Sequence, residues 1–143
     1  MQLNQYLFLS GDCEEAFRTY QRVLGGEITL MLKHAGTPGA GHVPPEWQDK
    51  IMHACLDLGG RRLMGSDVPP GRAKPLGGFC VQVTAGSVAE VERVFAALAE
   101  GGEATMAPHQ TFWSERFGML IDRFGVPWMI DCAPPAPADG ASA

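Results

Sequence analysis

Residues 23–30 read VLGGEITL and residues 99–106 read AEGGEATM. In both, a glycine pair ends a helix-like pattern and a glutamate opens a strand-like run. Glycine suits that junction because the residue just past a helix end turns to positive φ, where a Cβ is penalised. Upstream of Gly25, the residues Ala16, Phe17, Tyr20, Val23 and Leu24 recur on one helical face. Upstream of Gly101, Val88, Val91, Phe95 and Leu98 make the second stripe. Asp12 with Glu15, and Ser87 with Glu90, have the spacing of a capping box, which predicts where each helix starts. Apolar runs precede both helices, at Tyr6–Leu9 and Phe79–Val83. Behind the first glycine pair come strand patterns at 27–32, 51–58 and 62–65, the last two joined by Gly59-Gly60 as in a hairpin. Behind the second, strand-like segments run to about Cys132. The predicted fold is therefore α+β: two βαβββ modules, about residues 1–68 and 75–132, with Pro69-Pro70-Gly71 in the link. Neither half is long enough to bury both its helix and its sheet well, so the two are expected to form a single domain. The last eleven residues, APPAPADGASA, read as a flexible tail from 133 to 143.

Composition narrows the function. The 143 residues carry a formal charge of −5 and are 45% hydrophobic and 19% charged. That is enough apolar material for a core, and it excludes a disordered acidic protein. The only basic cluster is Arg61-Arg62, so nucleic acid is not an expected partner. The longest apolar run, Val94 to Ala99, is far too short to span a membrane. The N-terminal stretch lacks a basic segment followed by a long apolar one, so a cytoplasmic location is expected. Cys13, Cys55, Cys80 and Cys132 fit no zinc-finger or CxxC spacing and read as reduced, packed thiols. Residues 34–50, HAGTPGAGHVPPEWQDK, form a long stretch without periodicity, the kind of loop that serves as a lid or mobile segment.

Three segments carry a resemblance to a known family: SGDCEEAFRTYQRVLGGE, IMHACLDLGGRRLMGSD and HQTFWSERFGMLIDRFGVPWMID. Together with the paired modules they resemble the vicinal-oxygen-chelate superfamily of glyoxalases, bleomycin-resistance proteins and dioxygenases. The likeness is to its PhnB-like branch, which also bears a 3-demethylubiquinone methyltransferase-like label. The resemblance implies curved sheets that form a ligand cup, and a homodimer. A methyltransferase role finds no support, because no Gly-rich nucleotide loop follows a strand.

The superfamily's metal enzymes draw His, Gln or Glu ligands from four strands. Carried onto this sequence, those positions fall on Gln5, Met64, Gly78 or Phe79, and Met129. A thioether or a glycine is no ligand for a hard divalent ion. The resemblance thus implies a lost metal site, no cofactor, and a cup for a small organic molecule. Gln5, His53, Met64, Trp113 and Met129 are the expected lining, with Met64 and Met129 as a soft apolar floor. The alternative is an enzyme of the same superfamily, a lyase, isomerase or dioxygenase, with a relocated metal. His53, Cys55 and Asp57 alternate on one strand and so share a face, and Asp131 is a fourth candidate. His109 is a candidate general base, and Arg61-Arg62 a candidate anion site. A third reading is a structural partner whose cup is filled by its own side chains.

Overall fold

The computed structural model describes residues 1–134, so the predicted tail lies outside the described residues from 135 onward. The chain divides into two compact units, Met1–Pro75 and Leu76–Ala143. The first contains β1 (Gln5–Leu9), α1 (Cys13–Leu24), β2 (Glu27–Lys33), β3 (Ile51–Leu58) and β4 (Arg61–Asp67). Its sheet runs β1-β4-β3-β2, with β1 parallel to β4 and the other pairs antiparallel. The second contains β5 (Val81–Ala85), α2 (Val88–Ala99), β6 (Glu103–His109), β7 (Phe117–Ile121) and β8 (Pro127–Cys132). Its order β5-β8-β7-β6 repeats the first, again with one parallel pair. The α+β class and the duplicated βαβββ order are those predicted. The second module's first strand begins at Val81, two residues later than the apolar run at Phe79 suggests, because Val81 is the first residue in register with β8.

Each helix covers one face of its own sheet. In the first unit Leu7, Leu9, Ala54, Leu56 and Leu63 are buried beneath Phe17, Tyr20 and Val23 of α1. In the second, Leu120, Trp128 and Ile130 are buried beneath Val91, Phe95 and Leu98 of α2. A Cβ at Gly65 would stand 2.8 Å from the Phe17 ring, and one at Gly118 would stand 2.8 Å from the Phe95 ring. Glycine there lets an aromatic ring rest on the strand backbone. The two junction glycines are fixed by a close approach as well. A Cβ on Gly26 would run into the Asp57 carbonyl, and one on Gly102 into the Ile121 carbonyl.

The helix starts differ from one another. Ser87 Oγ accepts from the Glu90 amide, and Glu90 Oε2 accepts from the Gly86 amide, close to the predicted box. Asp12 makes no side-chain cap at α1. Its expected work falls to Asp67, 3% exposed at the end of β4. Asp67 Oδ1 accepts from the Gly11 and Cys13 amides and Oδ2 from the Ile51 amide. A buried carboxylate with three N–H donors caps the helix and ties three segments together at once. The loop 34–50 is also held. It folds into two short 3₁₀ turns, Pro38–His42 and Pro45–Trp47. Backbone hydrogen bonds join His34 to Lys50 and Ala35 to Gln48, Gln48 Nε2 donates to two loop carbonyls, and Trp47 is buried. Among the described residues no helix is long and apolar enough to cross a membrane.

Candidate functional site

Because the helix takes one face of each sheet, alternation sends every second strand residue to the opposite, helix-free face. In the first unit this face is read directly from the register. Leu30 pairs with Cys55, Cys55 with Met64, and Met64 with Tyr6. His53, which pairs with Leu32, and Phe8, which pairs with Ser66, lie two residues along. Phe8 is 56% exposed, and Leu30 and Leu32 are exposed as well. Within this apolar field Tyr6 Oη and His53 Nδ1 form a 3.0 Å hydrogen bond. The two rings stack at 18° with centroids 5.6 Å apart, and Phe8 lies 5.2 Å from Tyr6 on the same strand. Three rings thus form one contiguous cluster, with Phe8 tilted 46° to Tyr6. His53 Nε2 has no protein hydrogen bond among the described residues and is not among the sealed polar atoms.

In the second unit the same row is Met106, Met119, Met129 and Gln82. Asp131 pairs with Phe117 and with Thr84, one step along. Gln82 Nε2 donates to Thr84 Oγ1 and to Asp131 Oδ2, both at 2.8 Å. Asp131 Oδ1 is buried with no protein partner. Trp113 is 49% exposed and stands edge-on to Phe117 at 5.5 Å and to Phe112 at 4.7 Å.

The expected site residues fall as follows. His53 and Met64 share the helix-free face of the first sheet, and Met129 shares that of the second with Phe117, against which Trp113 packs. Gln5 pairs with Leu63, one residue out of step with Tyr6 and Met64, so it is exposed at the end of the helix-covered face. Tyr6 occupies the corresponding position on the open face. Gly78 and Phe79 precede β5, and Gln82 is the residue in register with Met129. The alternation along β1 is readable in the sequence: Leu7 and Leu9 are the buried alternates, which sends Tyr6 and Phe8 to the other side. The helix-free residues beside the positions that the resemblance implies are Tyr6 and Met64 in one unit, Gln82 and Met129 in the other. A phenol, two thioethers and an amide do not suit a hard divalent ion. Among the described residues no three His, Cys, Asp or Glu side chains group closely enough to hold a metal. Within the first unit His53, Cys55 and Asp57 form no such group, and Asp57 Oδ1 is committed to the Gly60 amide of the β3–β4 turn. His109 ends β6 exposed, its Nδ1 bonded to the Ala107 carbonyl. Arg61 and Arg62 are both exposed at the start of β4.

Burial and the Asp67 carboxylate push the Cys13 thiol far up from its ordinary range, so it is inert. Asp122 and Ser114 are likewise spent on folding. Asp122 accepts from the amides of Phe124 and Val126 and from Trp128 Nε1. Ser114 Oγ lies within hydrogen-bond distance of the Arg116 and Cys132 carbonyls and accepts from the Cys132 amide.

Comparison with known proteins places this geometry. Protein YjdN of Escherichia coli (strain K12) is 35% identical over 139 residues, covering 92% of this chain and 95% of its own. The crystal structure of protein PA1353 from Pseudomonas aeruginosa superposes with a TM-score of 0.85 at 43% identity, over 93% of this chain and 98% of that one. A Bacillus cereus protein described as a putative 3-demethylubiquinone-9 3-methyltransferase, PhnB protein, gives a TM-score of 0.76 at 25% identity, over 93% and 100%. Residues 2–130 match the Glyoxalase/Bleomycin resistance protein/Dioxygenase superfamily, and the chain belongs to it.

Proposed function

We propose that this chain is a small-molecule-binding protein of the superfamily, which holds an organic ligand against its helix-free sheet faces without a divalent metal. On the first unit's face the candidate contacts are Tyr6, His53 and Met64; on the second unit's face they are Trp113 and Met129. One observation carries this reading: the Tyr6–His53 hydrogen bond lies in an exposed field of Phe8, Leu30 and Leu32. A few polar groups fixed within an apolar surface are the makeup of a ligand site. A ligand ring burying about 150 Å² gains about 4 kcal/mol. Association costs consume most of that, so apolar cover alone gives weak binding and the polar pair must supply the rest. Assembly as a homodimer belongs to the same reading and rests on the family resemblance.

The test is NMR on protein labelled at the methionine methyl groups. Millimolar 2-naphthoate or indole is expected to move the Met64 and Met129 signals and to leave Met1 in place. No movement with either probe overturns the reading. One tight divalent ion per chain, in protein purified without chelator, also overturns it.

A further inference from the structure

We propose that Tyr6 is a positioning residue: it holds His53 in the Nε2–H tautomer, so that His53 recognises an acceptor oxygen on a flat conjugated ligand lying on the Phe8–Tyr6–His53 cluster. The inference rests on the binding reading above and names the chemistry that the first unit's face selects.

The argument begins with the proton count. A phenol has one hydrogen to give, and a neutral imidazole has one N–H and one lone pair. If His53 Nδ1–H donated to Tyr6 Oη, the phenolic hydrogen would need another acceptor, and no further hydrogen bond of Tyr6 is found among the described residues. His53 Nε2 would then be left as an acceptor, so either arrangement leaves one donor and one acceptor unmatched and the strength of the bond itself decides. If Tyr6 Oη–H donates to Nδ1, the phenolic hydrogen is satisfied and a single donor, Nε2–H, is left over. The bond at one imidazole nitrogen fixes which form the other takes. A phenol is a stronger donor than a neutral imidazole N–H, and an imidazole nitrogen a stronger acceptor than a phenol oxygen, so Oη–H donating to Nδ1 is the stronger bond.

The surroundings supply the second half. The Tyr6 and His53 rings are nearly parallel, 18° apart, and the Phe8 ring lies 5.2 Å from Tyr6, tilted 46° to it. Leu32 sits beside His53 across the β2–β3 pair, and Leu30 lies beside Cys55. A ligand that covers this surface excludes water from Nε2–H, so it must bring its own acceptor or leave a donor buried and unpaired. A conjugated carbonyl and an aromatic carboxylate both place an oxygen in the plane of a flat ring. A ligand that only donates, such as indole, fits the cluster and leaves Nε2–H unmatched.

The experiment combines ¹⁵N NMR of the imidazole with three probes: 2-naphthoate, 2-acetylnaphthalene and indole. In the wild type the His53 nitrogens should report the Nε2–H tautomer, and both oxygen-bearing probes should shift Nε2 while indole does not. Tyr6→Phe is expected to convert His53 to a tautomer mixture and to weaken naphthoate binding about tenfold, with the Met64 methyl signal showing that the sheet is intact. His53→Phe should erase the preference for naphthoate over indole while indole still binds. An Nδ1–H tautomer in the wild type, or a Tyr6→Phe protein with an unchanged tautomer and unchanged affinity, overturns the inference. Equal affinity for all three probes in the wild type overturns it alone, whereas failure of every probe to bind overturns the binding reading with it. A preference for naphthoate over acetylnaphthalene assigns the oxygen to a carboxylate, and the reverse assigns it to a carbonyl.

Discussion

Across the first sheet the helix-free row is Leu30, Cys55, Met64 and Tyr6; across the second it is Met106, Met119, Met129 and Gln82. The next step along brings His53 in one and Asp131 in the other. On the helix side the two sheets instead solve one problem alike, seating a phenylalanine on a glycine at Gly65 and at Gly118. That side must pack a helix, and close packing leaves little freedom. The open side holds no helix and is free to differ, so the first unit offers stacked rings and an unbonded imidazole nitrogen while the second offers thioethers and an unpaired carboxylate oxygen. The chemistry of this protein is therefore to be sought where its halves disagree.

The sharpest contrast in stability lies in two buried carboxylates. Asp67 joins the start of α1 to the start of β3 from the end of β4, so its donors are distant in sequence. Asp122 accepts from three donors of its own turn, each within six residues. Asp67→Ala is expected to cost about 4 kcal/mol and Asp122→Ala about 3, because each orphans buried donors but only the first disconnects separate segments. Urea unfolding measures this, with Trp47 reporting the first unit and Trp113 and Trp128 the second. A larger loss at Asp122 would reverse the order of importance argued here.

Cys13, at the first position of α1, distinguishes the halves through pH. Its thiol is raised by burial and by Asp67, so the folded state keeps a proton that the unfolded chain releases. Stability from this group is intact below the unfolded thiol pKa and falls as pH rises past it, by about 1.4 kcal/mol per unit while the folded thiol stays protonated. The corresponding position of α2 is Val88, which titrates nothing. Cys13→Ala should flatten the alkaline decline of the Trp47 transition and leave that of the second unit unchanged. A slope equal to the wild type's would show that other groups govern it.

Much of the fold was legible because duplication repeats its evidence. The glycine pairs, two apolar stripes and the Gly59-Gly60 turn each state a local rule that packing then obeys. What was hidden lay at long range. Nothing near Asp12 announces that Asp67, 55 positions on, takes over the cap, since a side chain's partner across a sheet leaves no local pattern. The residue types of the candidate site are readable in the sequence, but the sheet face each one takes is set by register. Gln5 looked chemically suited, but a strand's period of two makes a one-residue error a change of face. The loop 34–50 was readable as aperiodic, but its 3₁₀ turns rest on Gln48 and Trp47 contacts that spacing cannot reveal.

Smallest in energy, and opposite in sign, is a comparison of two buried polar side chains in the β2–β3 and β6–β7 connections. Ser114, 1% exposed, finds its partners at Arg116 and Cys132, so Ser114→Ala should cost about 2 kcal/mol. His34, 8% exposed, has two buried ring nitrogens with no protein partner. Its backbone is well held, the amide by the Lys50 carbonyl and the carbonyl by Thr37, so the loop does not depend on the imidazole. An unpaired buried polar group is a penalty, and an apolar side chain of similar bulk removes it. His34→Leu is therefore expected to stabilise the first unit by about 1 kcal/mol, read from the Trp47 transition, while His34→Ala loses packing and does not. A destabilised His34→Leu protein would mean that the imidazole has a partner in solution, and the loop rather than the sheet would then hold the next polar site to pursue.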